Sequence, residues 1–412
     1  MARNGNSKPT KELILDAAFS FLNEMHYNTF SMNELAAKVG ISKPAIYRHF
    51  KNKEDVLNAM ENRVIMGSAP FLKKISSGDS SVVKNALSGL IQHFIENTTH
   101  INFFIASMSS MPNYEERLYT SLYDNEVSFL KNESYFKKFA EDMGLFSRHV
   151  FCGMSIFFFV KVMERMRCEG KLTEIPPQFS DKIVSLLYGG LRGNTEESNM
   201  LHPEPISDER KKELVALCEI KPEVFPEENR IFTALAAVIE KYTMTGVTVE
   251  RIADELHMAK SSLYEYFDNK SEMIRTLVTK ELSLLRTIII ENSVEAKTFT
   301  EYIVILMLSE LEYFTHRPSI IPICGWLLMD DHAMKDENSE EEHHDALPWE
   351  ARLPDRIDSP DLGFPYPVEV ITEWIKCLPV AFLIEAKGKN LSKEKRMEGF
   401  MLTIDYILNG VN

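Results

Sequence analysis

The chain has 412 residues, 44% hydrophobic and 26% charged, with a formal net charge of -15 at pH 7. That length allows two to four domains, each able to bury its own core, and the acidic balance excludes a protein that coats nucleic acid over its whole surface. A local basic contact is not excluded, because a phosphate feels charges within a Debye length of roughly 8 Å at physiological salt. Five scattered cysteines without a C-x-x-C pair read as reduced packing or surface thiols. The aromatic-rich run 151–162 is too short and interrupted to span a bilayer, so no membrane-crossing helix is expected. The opening MARNGNSKPTKEL is charged with no apolar stretch behind it, which argues against a signal peptide and makes the cytoplasm the expected compartment.

Residues 1–10 are polar, with Arg3 and Lys8 placed to lie along a polyanion. A first helix is expected from Lys11 to Met25. Ser31-Met32-Asn33-Glu34 has the form of a capping box, in which the serine oxygen accepts the third helical N–H and the glutamate reaches back. The helix it starts ends at Gly40, which supplies φ > 0. Ser42 is placed to cap a third helix, with Pro44 tolerated in its first turn. Two short helices joined by a tight glycine turn make a helix-turn-helix.

From Val56 to Arg192 the apolar spacing is helical and strand-like alternation is absent, with breaks expected at Pro70, Gly78, Pro112, Gly144 and Pro176-Pro177. A long helix is expected over Leu145–Arg167, whose Phe157, Phe158, Phe159 and Met163 read as core or interface. Residues 194–226 carry Pro203, Pro205, Pro222 and Pro226 and read as a linker, with one short helix at Asp208–Glu219.

The pattern then starts again. A shift of 217 positions lays Lys43, Tyr47, Phe50, Asn52 and Lys53 on Lys260, Tyr264, Phe267, Asn269 and Lys270 without a gap. Upstream, Ile14, Ala17, Ala18, Phe21 and Leu22 fall on Ile231, Ala234, Leu235, Val238 and Ile239, one buried helix stripe in each copy. Near the ends of the halves, residues 186–191 resemble 406–411 at a shift of 220. The duplication therefore runs the length of the chain. The expected organisation is a head at 1–56, a helical body at 57–193, a linker at 194–226, a divergent second head at 227–274 and a second body at 275–412. That second body contains an acidic, proline-punctuated loop at 330–367, after which helices resume over Val368–Ala386 and Lys393–Asn409.

In a helix-turn-helix the second helix enters the major groove while the first crosses the backbone. Lys43 stands where an N-terminal side chain can reach guanine O6 or N7, with Arg48 and His49 as further donors. Ser31, Ser42, Tyr47 and Lys53 suit phosphate oxygens, which position a duplex without reading it. In the second copy the corresponding set is Thr248, Lys260, Ser261, Ser262, Tyr264, Tyr266 and Lys270. There the turn glycine is His257, the cap serine is Ala259, Arg48 is matched by Glu265 and Lys51 by Asp268. Two roles stay open for that head: a weak or altered DNA contact, or a purely structural one.

The run from Leu13 to Leu57, LILDAAFSFLNEMHYNTFSMNELAAKVGISKPAIYRHFKNKEDVL, resembles the DNA-binding domain of the tetracycline-repressor (TetR) family. The resemblance implies an all-α fold, a three-helix head, and a helical body that binds a small inducer and dimerises through its last two long helices. It implies base contacts at Lys43, Pro44, Ala45 and His49 and backbone contacts at Ser31, Tyr47 and Lys53. The expected protein is two tandem TetR-like units forming a transcriptional regulator, most simply a repressor released from a double-stranded DNA operator by a small hydrophobic inducer. It is expected to act as an intramolecular pseudo-dimer, with a homodimer using only the first heads and a non-DNA-binding sensor or interaction protein on the same fold as the alternatives. No G-x-S-x-G, Gly-rich phosphate loop or H-E-x-x-H is present, so neither an enzyme nor a cofactor is expected. The cluster Glu340-Glu341-Glu342-His343-His344-Asp345, with His332 nearby, offers metal-ligand chemistry on a loop that does not preorganise it, so no metal is expected.

Overall fold

The computed structural model describes residues 9–24, 30–77, 79–110, 142–168, 170, 173–175, 178–192, 205–225, 227, 229–242, 246–321, 323–324, 368–387, 389 and 391–411. Among these residues the secondary structure is helical, with no strand. The acidic loop 330–367 and its candidate metal cluster lie outside the described residues, as do Arg3 and Lys8. The chain divides into two compact units, Met1–Tyr135 and Phe136–Asn412.

The first unit holds α1 (Thr10–Glu24), α2 (Met32–Val39), α3 (Lys43–Tyr47), α4 (Lys53–Ser77), α5 (Ser80–Glu96) and α6 (Thr98–Ser110). The capping box forms as the sequence predicts: Ser31 Oγ accepts from Glu34 N at 3.2 Å, and Ser31 N donates to Glu34 Oε2 at 2.6 Å. Gly40 ends α2 at φ 76°, ψ 30°. The small core joins Ile14, Leu15, Ala18 and Phe19 of α1 to Leu35, Ala36, Ile46 and Phe50, and continues into Val56, Met60 and Val64 of α4. Each fully buried Val, Leu, Ile, Phe or Met of this core contributes about 1.5–3 kcal/mol, so three short helices hold together only by sharing it. Arg63 of α4 pairs with Glu12 and with Asp16 (2.6 Å) of α1, and its guanidinium lies 5.6 Å from the Phe19 ring centroid. His100 of α6 packs on Phe19 at 5.0 Å and meets His93 of α5 ring nitrogen to ring nitrogen at 3.4 Å.

One expected break is absent: α4 runs straight through Pro70. A proline inside a helix leaves the carbonyl four residues earlier without its donor. Pro70 and Met66 are both exposed, so solvent can supply the missing bond.

The second unit begins with the last helices of the first repeat, α7 (Met143–Cys168) and α8 (Phe179–Gly189). It continues through α9 (Asp208–Leu217), α10 (Arg230–Tyr242), α11 (Val249–Glu255), α12 (Lys260–Tyr264), α13 (Lys270–Ser293), α14 (Phe299–His316), α15 (Val368–Lys387) and α16 (Lys393–Asn409). The helix expected within the linker, α9, is docked on α14. Arg210 donates from Nε and Nη2 to the two carboxylate oxygens of Glu301, each at 3.0 Å, while Leu214 and Cys218 are buried beneath it. Compactness therefore does not follow the repeat boundary.

Helix α7 is longer than the aromatic run suggested, and at 26 residues it is long and apolar enough to cross a membrane. Its apolar residues are taken up by helices of the same unit. Phe146 meets Phe382 at 5.3 Å, and Phe151 and Phe159 flank Trp374 at 5.9 and 5.7 Å. Trp374 Nε1 donates to Ser155 Oγ at 2.9 Å, and Ser147 Oγ donates to the Gly399 carbonyl at 2.6 Å. Thus the two closing helices of one repeat, α7 and α8, pack with the two closing helices of the other, α15 and α16.

The ends of α8 and α16 meet reciprocally. A Cβ placed on Gly190 would stand 2.6 Å from the backbone of Leu408, Asn409 and Gly410, and one on Gly410 would stand 2.2 Å from the carbonyl of Tyr188. Both glycines have positive φ, 56° and 77°, and Val411 N donates to Leu187 O at 2.9 Å. Gly190 and Gly410 are equivalent positions of the repeat. Each of these two equivalent glycines therefore lies against the backbone next to the other.

Candidate nucleic-acid interface

In the first head, Ser42 takes the N-cap position of α3 at φ -71°, ψ 154°, with Pro44 in the first turn. Its hydroxyl makes no cap hydrogen bond, contrary to the expectation from sequence, and it is exposed on the same short segment as Lys43. Lys43, Pro44, Tyr47, Arg48 and His49 are all exposed, and Ala45 is half-buried. Tyr47 keeps 41% of its surface while Phe50, one turn on, keeps 4%. The two aromatics of the motif therefore divide between surface and core.

Lys53 is placed differently from its neighbours. It is half-buried at the start of α4 with its ammonium 4.7 Å from the Phe30 ring centroid, and burial lowers its pKa although the Glu34 charge opposes that. Asn52 next to it is a cap, its Oδ1 accepting from Asp55 N at 2.8 Å, and Lys51 N donates to Asp55 Oδ2 at 2.9 Å. The asparagine-lysine pair thus starts α4 as much as it faces outward. Sequence reasoning passed over Lys51, an exposed cation three residues from Arg48. Its signal was the change to Asp268 in the other copy.

The second head rebuilds the same geometry from different residues. Thr248 caps α11 by accepting from Arg251 N at 3.2 Å. His257 takes the turn in the left-handed region at φ 56°, where the first head has glycine. Ala259 holds the N-cap position of α12 without a side-chain bond, and Asn269 Oδ1 caps α13 through Glu272 N at 2.9 Å. Lys260, Ser261, Tyr264 and Tyr266 are exposed, with Tyr266 at 69%, and Ser262 is half-buried.

The cations of the second head are turned to other uses. Lys260 is hydrogen-bonded and ion-paired to Glu250, which raises the lysine pKa and lowers that of the carboxylate. Lys270 Nζ donates to the Val247 carbonyl at 2.8 Å, and burial lowers its pKa. Arg251 donates to the Gly246 carbonyl and stacks 4.2 Å from the Tyr242 ring centroid. Sequence reasoning missed the Glu250 partnership. The cue was a glutamate where the first head has Asn33, across the turn from the lysine.

A short capped helix, a left-handed turn residue and an exposed second short helix, presented on a helical scaffold, define a helix-turn-helix transcriptional regulator. The family described as bacterial regulatory proteins, tetR family, matches the chain twice, over residues 14–60 and 231–277. The chain is a TetR-family regulator in which the family's amino-terminal domain occurs in tandem. It is 29% identical over 137 residues to an HTH-type transcriptional regulator of Staphylococcus aureus strain bovine RF122 / ET3-1, covering 32% of this chain and 74% of that protein. It is 27% identical over 142 residues to an HTH-type transcriptional regulator of Staphylococcus aureus strain USA300, covering 34% of this chain and 77% of the relative.

Proposed function

We propose that the chain is a ligand-responsive repressor that acts in the cytoplasm as an intramolecular pseudo-dimer. In this reading Lys43 and His49 of the first head reach base edges in the major groove, and Pro44 and Ala45 make the close apolar approach. Ser31, Ser42, Tyr47, Arg48 and Lys53 hold phosphates. The observation that carries the pseudo-dimer is the reciprocal approach of Gly190 and Gly410 within the packing of α7 and α8 with α15 and α16. These are the closing helices of each repeat, and a TetR-like unit standing alone would use them to bind a second chain. Their mutual burial favours one chain over a homodimer that pairs two first heads.

Repression would be relieved by a small inducer, and the methionine- and aromatic-rich composition of the bodies argues for a hydrophobic one. A ligand that binds the conformation with lower DNA affinity shifts the population toward it, by no more than its differential affinity for the two states. Light scattering of the chain with and without its selected operator duplex tests the reading. The expected species is a 47.4 kDa monomer that binds one chain per duplex. An obligate dimer of chains with the two first heads on one operator would overturn the pseudo-dimer. Absence of any salt-dependent duplex binding would overturn DNA recognition itself.

A further inference from the structure

The two heads share a backbone plan and differ in charge. Residues 31–53 carry Lys38, Lys43, Arg48, Lys51 and Lys53 against Glu34 alone, whereas residues 248–270 carry Arg251, Lys260 and Lys270 against five acidic residues, Glu250, Asp254, Glu255, Glu265 and Asp268. Position by position, Arg48 becomes Glu265, Lys51 becomes Asp268 and Asn33 becomes Glu250. The geometry adds what the tally omits. In the first head Lys43, Arg48 and Lys51 are exposed, and among the described residues no side-chain hydrogen bond or ion pair holds them. In the second head each of the three cations is engaged inside the head: Lys260 by Glu250, Lys270 by the Val247 carbonyl and Arg251 by the Gly246 carbonyl and the Tyr242 ring. Beside the paired Lys260 and Ser261, Tyr264, Tyr266, Glu265 and Asp268 face outward around α12.

We infer that Glu250, Glu265 and Asp268 together keep the second head off DNA, so that the chain reads its operator through the first head alone. This rests on the reading of the first head as the DNA reader. Lys260 occupies the position of Lys43, the one cation in the second head placed to reach a base edge. Engaging a phosphate or a guanine would require it to leave a carboxylate that is already in contact. A carboxylate on either side of Tyr266 would then approach the backbone of the duplex, where like charge costs affinity and where each phosphate contact otherwise contributes about 0.9 to the slope of log affinity against log salt. The fold of a reader is kept and its grip is cancelled. The operator that follows is a single, asymmetric half-site, not a palindrome.

The test uses the full chain and a generic duplex as probe. Lys260→Ala and Tyr264→Ala in the otherwise native chain should change duplex affinity less than about twofold, whereas Lys43→Ala with Arg48→Ala and Lys51→Ala should lower it by at least about tenfold and flatten the salt slope by about 2–3. In that disabled background, Glu250→Asn with Glu265→Arg and Asp268→Lys should restore salt-dependent binding, because these changes give the second head the residue types of the first and free Lys260. Loss of affinity in Lys260→Ala or Tyr264→Ala comparable to the first-head variants would overturn the inference, as would steep salt-dependent binding by the disabled chain with its native second head. If the restored variant stays inert while folding as the parent does by circular dichroism, these three acidic residues are not what keeps the second head off DNA. A native chain that binds no duplex at any salt would sink the DNA-binding reading instead.

Discussion

Replacing Gly410 with alanine is the sharpest probe of the intramolecular interface. The residue sits at φ 77°, ψ 179°, and its repeat partner Gly190 at φ 56°, ψ -157°. That region is essentially restricted to glycine and costs other residues about 1–3 kcal/mol. The new methyl would also stand 2.2 Å from the carbonyl carbon and oxygen of Tyr188 and 2.6 Å from Gly189 N. These are backbone atoms, which cannot swing aside as a side chain would, so an overpacking cost of about 1–3 kcal/mol is added. The two terms together come to about 2–6 kcal/mol, a large part of the 5–15 kcal/mol typical of a folded domain. Gly170→Ala is the control, since it shares a positive φ of 68° but has nothing among the described residues within 4 Å of the added carbon, so the backbone cost dominates. Urea denaturation of the second unit, read through the fully buried Trp374 that lies in the same helix packing, measures both variants. Gly190→Ala and Gly410→Ala combined should cost less than the sum of the singles, because they break one shared contact. If Gly410→Ala destabilises no more than Gly170→Ala, the close reciprocal approach is not what holds the two repeats together.

Three further outcomes follow from the same structure. Lys43→Ala should relax base choice, costing about 1–3 kcal/mol at one operator position, while Lys53→Ala should also lower the melting temperature of the first unit because Lys53 packs on Phe30; an unchanged consensus from selected duplexes with Lys43→Ala would remove it from the base-reading set. Glu310 is buried with Oε2 lacking a hydrogen-bond partner among the described residues, and desolvation pushes its carboxyl well above the usual carboxylate range. Because its folded pKa is raised, its favourable share of stability is complete below the unfolded pKa of 4.5 and is lost as pH rises through the folded value. Glu310→Met should therefore stabilise the second unit by about 1–3 kcal/mol at pH 7, and equal melting profiles across pH would refute this. His100 has the opposite sign: burial, then the neighbouring charges of His93 and Arg63, depress its pKa to about 4 from 6.5. Its share of stability is present above pH 6.5 and is lost as pH falls toward 4, on the order of 2 kcal/mol after allowing for solvent screening; a His100→Phe chain should show a flatter acid limb in a pH series of melting curves.

Legibility in the sequence tracked the range of the interactions. The capping box at Ser31 and the left-handed Gly40 depend on residues within a few positions, and both could be read before any coordinate. Pro70 was misread because a break is decided by whether the orphaned carbonyl meets water, which spacing alone does not reveal. The partners of α7 were not readable at all. Its apolar character says that it must be covered, but the covering residues Trp374, Phe382 and Gly399 lie more than 200 positions away. The Glu250–Lys260 pair falls between these cases: both residues are visible, and only the turn between α11 and α12 brings them together.

Joining two units in one chain changes what an interface can become. In a homodimer each substitution is made twice and must suit both sides of the axis, whereas a tandem chain makes it once and replaces association by an intramolecular step of high effective concentration. The packing of α7 and α8 with α15 and α16 contains both matched and unmatched contacts. At the axis the pair Gly190 and Gly410 is retained on each side, since either backbone would be blocked by a side chain on the other. Away from it the bond from Trp374 to Ser155 has no mirror image, because the equivalent positions are Met154 and Ile375, which offer no such donor and acceptor. Arg165 likewise reaches Glu373 at 3.2 Å, where the equivalents are Glu385 and Gly153. The same release from symmetry acts on the heads: once the late helices are held together within one chain, the second recognition helix can exchange Arg48 for Glu265 and engage its lysine with Glu250 without disturbing the first. A tandem link thus permits a difference of charge between the heads together with a matched close approach at Gly190 and Gly410.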